Sequence, residues 1–410
     1  MNVASFIARR IAFNRQKSFS RFIIRLATVA TATSVAAMII SSAFVSGFQE
    51  AISQKIFSFW GHIRIVQNAP TQSNIAQDAA MPSNDSIVRL LKSIKEIKSV
   101  APFTTQSAVI EHHKDIDGIL IKGVDSAYHF QNIQSFLRQG SWISFADSLY
   151  SRDIVISQSV ASELNIHPGD TVHVFFITSA DNRANMRSMR VSGIYKTGIE
   201  EYDKLFAIAD MRLVQRINGW TNSEIGGYEV VLNDYRKMDT VSNYLNQVLP
   251  GAWMSMTIKD VYPNIFDWLS IQDVNKVVIY VIMAVVAIIN LITCLLILVL
   301  ERMRMTGILK SVGGDNWLIQ KIFLYHSSVI ALRGVLYGFV FGIGLCLLQL
   351  HFGILKLDES AYYIRIAPIK IVWPEVLIIC TTTFIVCYAA LILPTLFVRK
   401  IQPVRAIKFD

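Results

Sequence analysis

The sequence predicts an α-helical membrane protein with four transmembrane helices and a large mixed α/β extracytoplasmic domain inserted between helices 1 and 2. Three observations predict it. Hydrophobic residues make up 52% of the 410-residue chain and charged residues only 17%, with a mean hydropathy of +0.41, a balance too apolar for a soluble protein of this length. Four apolar runs, residues 26–48, 277–300, 322–350 and 376–398, reach the roughly 20 helical residues that a hydrocarbon core requires. Between the first two runs lies a polar stretch, residues 49–276, long enough for one sizeable or two small domains.

Residues 1–25 carry a basic lead in which Phe6, Ile7, Ile11 and Phe13 alternate with Arg9, Arg10 and Arg15. That pattern predicts an amphipathic helix lying on the membrane. Residues 26–48 are too long for a signal-peptide core and are not closed by a small-residue cleavage site, so they read as an uncleaved first span. Residues 301–321 form a loop between spans 2 and 3, residues 351–375 a second short loop and entry to span 4, and residues 399–410 a tail.

Basic residues fix the expected orientation, because short loops rich in Lys and Arg remain in the cytoplasm. Arg21 and Arg25 precede span 1; Arg302, Arg304, Lys310 and Lys321 lie between spans 2 and 3; Arg399, Lys400, Arg405 and Lys408 follow span 4. Both termini and the 301–321 loop are therefore expected in the cytosol, and 49–276 and 351–375 outside it. The same clustering explains the net charge of +9 as topology and argues against a nucleic-acid partner.

Within 49–276, alternation predicts strands over 61–67, 100–113, 118–124, 153–157, 171–177, 189–195, 205–209 and 228–232, and helical spacing predicts helices over 86–97, 160–165 and 236–248. Residues 69–84, rich in Ala, Ser, Asn, Gln and Pro, read as a mobile loop. Cys294, Cys346, Cys380 and Cys387 all fall inside spans, so no disulfide is expected outside the membrane.

No nucleophile, phosphate-loop or metal pattern occurs, so the chain is not expected to be an enzyme or to bind a cofactor or metal itself. His112 and His113 are neighbours on a predicted strand, where they would point to opposite faces and ligate a metal poorly together. Glu200 and Glu201 read as a solvated pair. In span 3, Gly334, Gly338 and Gly342 recur at four-residue steps and strip one helix face for close packing. Arg333 is assigned first to snorkelling or interhelical pairing, with a functional role as the alternative. Asn290 in span 2 is expected to bond another helix, with a place in a substrate cavity as the alternative.

The segment 301–314 stands between two membrane-length runs. Its Ile308, Leu309 and Val312 are expected to share one face of a short helix, with Arg304 and Lys310 on the other sides. So short a helix is marginal alone and is expected to dock on another protein. The pattern Glu301-Arg302, Arg304, Gly307-Ile308-Leu309-Lys310 and Gly313 resembles the coupling helix of type VII ABC permeases, which join an FtsX-like permease region to a MacB-like periplasmic domain. Ser34 to Phe48, Gly61-His62-Ile63, the turn from Leu164 to Val172, and Leu393-Pro394 with Pro403-Val404 and Arg405-Ala406-Ile407 are similar, within that family, to the lipoprotein-releasing permeases.

The resemblance implies a membrane-proximal α/β part with a β-rich insertion near residues 101–212. It implies a non-catalytic inner-membrane subunit whose partners are a cytosolic ABC ATPase holding ATP and Mg, a second permease copy or paralogue, a lipoprotein substrate and a periplasmic lipoprotein carrier. Coupling would then fall to Arg304, Gly307, Ile308, Leu309, Lys310, Val312 and Gly313. An apolar substrate cavity would be lined by Ile40, Phe44, Val45, Phe48, Ile282, Val286, Ile289 and Asn290. Carrier contact would fall to Asn182, Arg183 and Arg187, although the 178–188 stretch is short for the hook that captures a carrier in that family. The alternatives are an export permease for peptides or small molecules, a permease that transmits force, and a membrane-anchored scaffold that works without ATP.

Overall fold

Forty-two consecutive residues, Phe19–Trp60, form the first helix, α1, in the computed structural model, which describes residues 19–68, 79–145, 150–177, 185–358 and 362–395. At 1.5 Å per residue this helix is about 63 Å long, roughly twice a hydrocarbon core. Hydropathy marked only its apolar part, residues 26–48. Residues 49–60, expected at the start of the α/β domain, continue the same helix, in which Ile52, Ile56, Phe57, Phe59 and Trp60 are buried.

The strand region begins with β1 (Ile63–Gln67), the two-residue β2 (Met81–Pro82) and helix α2 (Asp85–Ser93). The Asn84 side chain caps α2 by accepting from the Ser86 and Ile87 amides. The hairpin of β3 (Ile97–His112) and β4 (Asp115–Val124) follows, then β5 (Leu137–Gly140), β6 (Asp153–Ser157), α3 (Gln158–Glu163), β7 (Thr171–Phe176) and β8 (Asn185–Tyr195). After them come α4 (Glu200–Asp203), β9 (Phe206–Asp210), α5 (Met211–Ile217), β10 (Glu224–Ile225), β11 (Gly227–Leu232), α6 (Met238–Val248), β12 (Trp253–Thr257) and α7 (Ile258–Val261).

One long strand organises two substructures. The first half of β3 pairs with β11, which continues through β1 to β12 as an antiparallel sheet. The second half pairs with both β4 and β7, and the pairings β4–β9, β9–β6, β6–β8 and β8–β7 return to β3, closing a ring of six strands. Closure leaves these strands without an open edge. Alternate side chains fill the ring, among them Ala108, Ile110, Ile121, Ile156, Val174, Phe176 and Val191.

Four details depart from the sequence reading. Helix α2 stops at Ser93, and Ile97 opens β3 rather than ending a helix. His112 ends β3, but His113 takes a left-handed φ of 48°, so the two rings meet edge to face at 4.1 Å instead of pointing apart. Strands β2, β5, β10 and β12 went unforeseen because they are only two residues long or show little apolar alternation. Helix α5 was missed too, although Asp210 accepts from the Arg212 amide at its start.

The helical unit comprises Met1–Glu50, Trp268–Lys356 and Ile366–Asp410, and the strand unit Ala51–Asp267 and Leu357–Arg365. Helices α8 (Pro263–Glu301), α9 (Met303–Ser311), α10 (Asn316–Phe352) and α11 (Trp373–Thr395) complete the chain. Helix α8 starts well before residue 277: residues 263–276 are helical, the first five of them in the strand unit and the rest in the helical unit. Among the described residues, α1, α8, α10 and α11 are long and apolar enough to cross a membrane. Two apolar cores hold their unit together, one around Ala287, Leu291, Leu295, Phe323 and Leu391, the other around Val35, Ile39, Val335 and Ile379.

Candidate functional site

The short helix α9 occupies the turn between α8 and α10. Its last turn closes on Gly313, which takes a φ of 91° while its N–H donates to the Lys310 carbonyl oxygen at 3.1 Å. That left-handed geometry favours glycine. Gly307 and Thr306 are buried. Ile308 and Val312 are exposed, Val312 to 83%, and so is Arg304. Leu309, by contrast, packs with Met305 against the helical core.

This corrects the expected face. Residues at i, i+4 and i+8 follow one stripe, which puts Arg304, Ile308 and Val312 together and sends Leu309 to the adjacent stripe with Met305. The surface that α9 offers is therefore a basic residue beside two aliphatic ones. Lys310 is half-buried.

Span 3 meets span 1 along the glycine stripe. A Cβ on Gly334 would stand 2.7 Å from Thr31 Cβ, one on Gly338 2.6 Å from the Ala32 carbonyl oxygen, and one on Gly342 3.1 Å from Ala36 Cα. The backbones of α10 and α1 thus approach closely at three successive turns. Arg333 beside the stripe is half-buried.

The cavity candidates divide into two sets. Val45 and Phe48 are buried, with Phe48 edge-on to Trp268 at 5.5 Å and stacked with Phe44 at 5.8 Å, and Ile40 packs on the Val35–Ile39 core. Ile282, Val286 and Ile289 are exposed and share one outer face of α8. The first set is thus packed inside the chain and the second faces outward from it. Asn290 also differs from expectation: its side-chain amide donates to the Val286 carbonyl oxygen of its own helix at 2.9 Å, satisfying one donor without another helix.

Of the carrier-contact candidates, Asn182 and Arg183 lie outside the described residues. Arg187 lies on β8, half-buried, and donates to the Met186 carbonyl oxygen at 2.8 Å. The other readings placed on residues 1–18, 69–78 and 396–410 also lie outside the described residues.

Sequence reasoning missed two polar clusters. In the strand unit, Lys122 on β4 is fully buried, 2.6 Å from a Glu229 carboxylate oxygen on β11. Its ammonium also donates to the Phe59 carbonyl oxygen at the end of α1 and lies over the Trp60 ring at 4.4 Å. Arg64 stands directly opposite Glu229 in the β1–β11 register, its guanidinium 4.5 Å from the centre of the Phe103 ring. Burial pushes the Lys122 ammonium down to about 8, against the pull of Glu229, and burial also raises the Glu229 carboxyl. The one available signal was three charged residues inside apolar strand patterns, and without register it did not say that they meet. In the helical unit, the Ser42 hydroxyl donates to Glu375 Oε2 at 2.5 Å.

The family model of the MacB-like periplasmic core domain matches residues 26–248, and that of the FtsX-like permease C-terminal matches residues 277–403. The chain is similar to "Lipoprotein-releasing system transmembrane protein LolC" of Xylella fastidiosa (strain 9a5c), 23% identical over 419 residues covering 98% of this chain and 97% of that one. It is likewise similar to "Lipoprotein-releasing system transmembrane protein LolE" of Haemophilus influenzae (strain ATCC 51907 / DSM 11121 / KW20 / Rd), 21% identical over 430 residues and 99% of each chain. Among solved structures, the periplasmic region of MacB from Actinobacillus actinomycetemcomitans matches at 18% identity and a TM-score of 0.34, over 50% of this chain and 91% of that one.

Proposed function

We infer the function from one premise, that the chain belongs to the MacB-like periplasmic core domain family and is an ABC-transporter permease of the LolC/LolE type. On that premise it is the membrane subunit through which a separate ATPase, holding ATP and Mg, drives lipoproteins out of the inner membrane toward a periplasmic carrier. The chain itself carries out no chemistry. Both termini and α9 face the cytosol, and the strand unit faces the periplasm, in accord with the basic flanks. A second permease copy or a paralogue completes the unit.

The observation that carries this reading is the exposed Arg304–Ile308–Val312 stripe on a nine-residue helix between two membrane-length helices. Two aliphatic side chains held in water beside a basic one suit a groove on a cytosolic partner. ATP-driven closure of that partner would push α9, and the push would pass to α8 and α10, which it joins. An acyl chain is held by burial at about 0.8 kcal/mol per methylene. The exposed face of Ile282, Val286 and Ile289 suits it better than the packed Val45 and Phe48.

Replacing Ile308 and Val312 together by Asp is expected to abolish co-purification of the ATPase while the chain still inserts. Unchanged co-purification and ATP turnover would refute the docking surface. A photo-crosslinker at Ile289 is expected to capture lipoprotein. Capture of a soluble peptide or a small apolar compound instead, with lipoprotein sorting normal in a depleted strain, would replace this reading by the export alternative.

A further inference from the structure

The segment that leads into α11 is fastened to α1 at successive turns. The Lys370 backbone N–H donates to the Ala43 carbonyl oxygen at 2.9 Å. At Gly47 the two backbones pass so closely that a Cβ would stand 2.5 Å from the Pro368 carbonyl oxygen and 2.8 Å from the Lys370 nitrogen. One turn on, Lys370 Nζ lies 3.0 Å from Glu50 Oε2. Positions 43, 47 and 50 follow one stripe of α1, so a single chain segment can lie along all three.

The same segment is tied to α10. The Gln349 side chain donates to the carbonyl oxygens of Leu355 at 3.2 Å and Ala367 at 3.1 Å, and accepts the Leu355 amide at 2.9 Å. Its far end reaches Glu375, in the first turn of α11. One carboxylate oxygen there, Oε2, accepts the Ser42 hydroxyl of α1 at 2.5 Å and lies 3.8 Å from Lys276 Nζ of α8. Lys276 also lies 3.2 Å from Asp273 Oδ1. Helices α1 and α8 are therefore both bound to one atom of α11, close to where the fastened segment enters that helix.

We propose that residues 366–375 are a strap locked by Glu375, which holds α1 and α8 together until the lock opens. The proposal rests on the reading of this chain as a permease driven by a partner ATPase. Partly exposed ion pairs of this kind are individually weak, so the strap can open without unfolding the helices it joins. Backbone closeness at Gly47 sets its path, and the charges at Glu50, Lys276 and Glu375 set whether it is closed.

Hydrogen exchange of the peptide covering residues 366–372, measured on the full chain, tests the lock directly. Glu50→Lys, Lys370→Glu and Glu375→Gln should each speed exchange about tenfold, since closure then loses one of its few ties. The double variant Glu50→Lys with Lys370→Glu should return exchange to within about threefold of the parent, because the pair is restored with its signs reversed. Unchanged exchange in all three single variants would overturn the proposal, as would a double variant no slower than its parents.

The opening step is tested in the complex with its ATPase, using Glu50→Cys and Lys370→Cys in a chain whose four native cysteines are replaced by alanine. Bridging the pair with a cleavable bifunctional thiol reagent should cut ATP-driven release about tenfold while ATP hydrolysis continues, and cleaving the bridge should restore release. A bridged protein that releases at the full rate overturns the strap. If the unbridged protein releases nothing, the permease function itself fails, and the exchange measurement alone then decides the lock.

Discussion

Lys122 Nζ stands 2.6 Å from a Glu229 carboxylate oxygen, with both side chains shut off from water and Arg64 facing Glu229 across the β1–β11 pair. Two cations thus share one buried anion. Breaking such a group from one side costs about 3–5 kcal/mol, whereas replacing the pair by apolar residues can be nearly neutral. Glu229→Gln, which leaves both cations uncompensated, is expected to destabilise the strand unit more than Lys122→Met, which leaves Arg64 facing Glu229; only the triple variant Arg64→Met, Lys122→Met and Glu229→Leu, which removes all three charges, is expected to recover most of the loss. Denaturant unfolding followed by tryptophan fluorescence gives the order; equal losses in the two single variants would contradict it.

His62 supplies a pH dependence. Its Nδ1 accepts the Leu232 amide N–H at 2.8 Å, a role open only to the neutral ring, and burial holds its pKa at about 4 against an ordinary value of 6.5. The unfolded chain therefore binds the proton more tightly between those values. Stability is present above pH 6.5 and is lost as pH falls toward 4, by about 3 kcal/mol from this residue. His62→Asn keeps an acceptor that does not titrate, so its stability should fall less over that range. Parallel pH curves for the two proteins would sink the assignment.

The glycine stripe predicts a sharp contrast within one helix. Gly338→Val drives new atoms into the Ala32 carbonyl and Val35, an overpacking that costs about 1–3 kcal/mol or more. At Gly344 a Cβ meets nothing within 4 Å, so Gly344→Ala should stabilise α10 by up to about 1 kcal/mol through helix propensity. Thermal aggregation of the detergent-solubilised chain measures both, and a tolerated Gly338→Val would refute the contact.

Helix α9 predicts different failures from adjacent residues. Leu309→Asp puts a charge into the chain's own helical core, where an unpaired charge costs several kcal/mol, and should reduce the amount of folded chain. Ile308→Asp, on the exposed stripe, should leave that amount unchanged and weaken only partner binding. Equal expression losses would show that the two side chains share one environment.

Orientation is open to a labelling test. Lys114→Cys, at the β3–β4 turn, should react with an impermeant thiol reagent in intact spheroplasts, and Ser311→Cys should react only after lysis. Labelling of Ser311→Cys from outside would reverse the proposed topology.

The four membrane-length helices, the short helix between the second and third of them, and most of the strands were legible in the residues alone, because each follows from local periodicity: about twenty mostly apolar residues, or alternation over five or six. The glycine spacing on α10 was legible for the same reason, as a pattern within one helix. Which residues meet is settled by packing across the chain. The face of α9 that stays exposed, the burial of Val45 and Phe48 against the exposure of Ile282 and Ile289, and the closing of six strands into a ring depend on partners distant in the chain. So do the meetings of Lys122 with Glu229 and of Ser42 with Glu375, 107 and 333 residues apart. A charge inside an apolar pattern announces that it needs a partner, but strand register and helix packing choose that partner, and neither is a property of any local stretch of sequence.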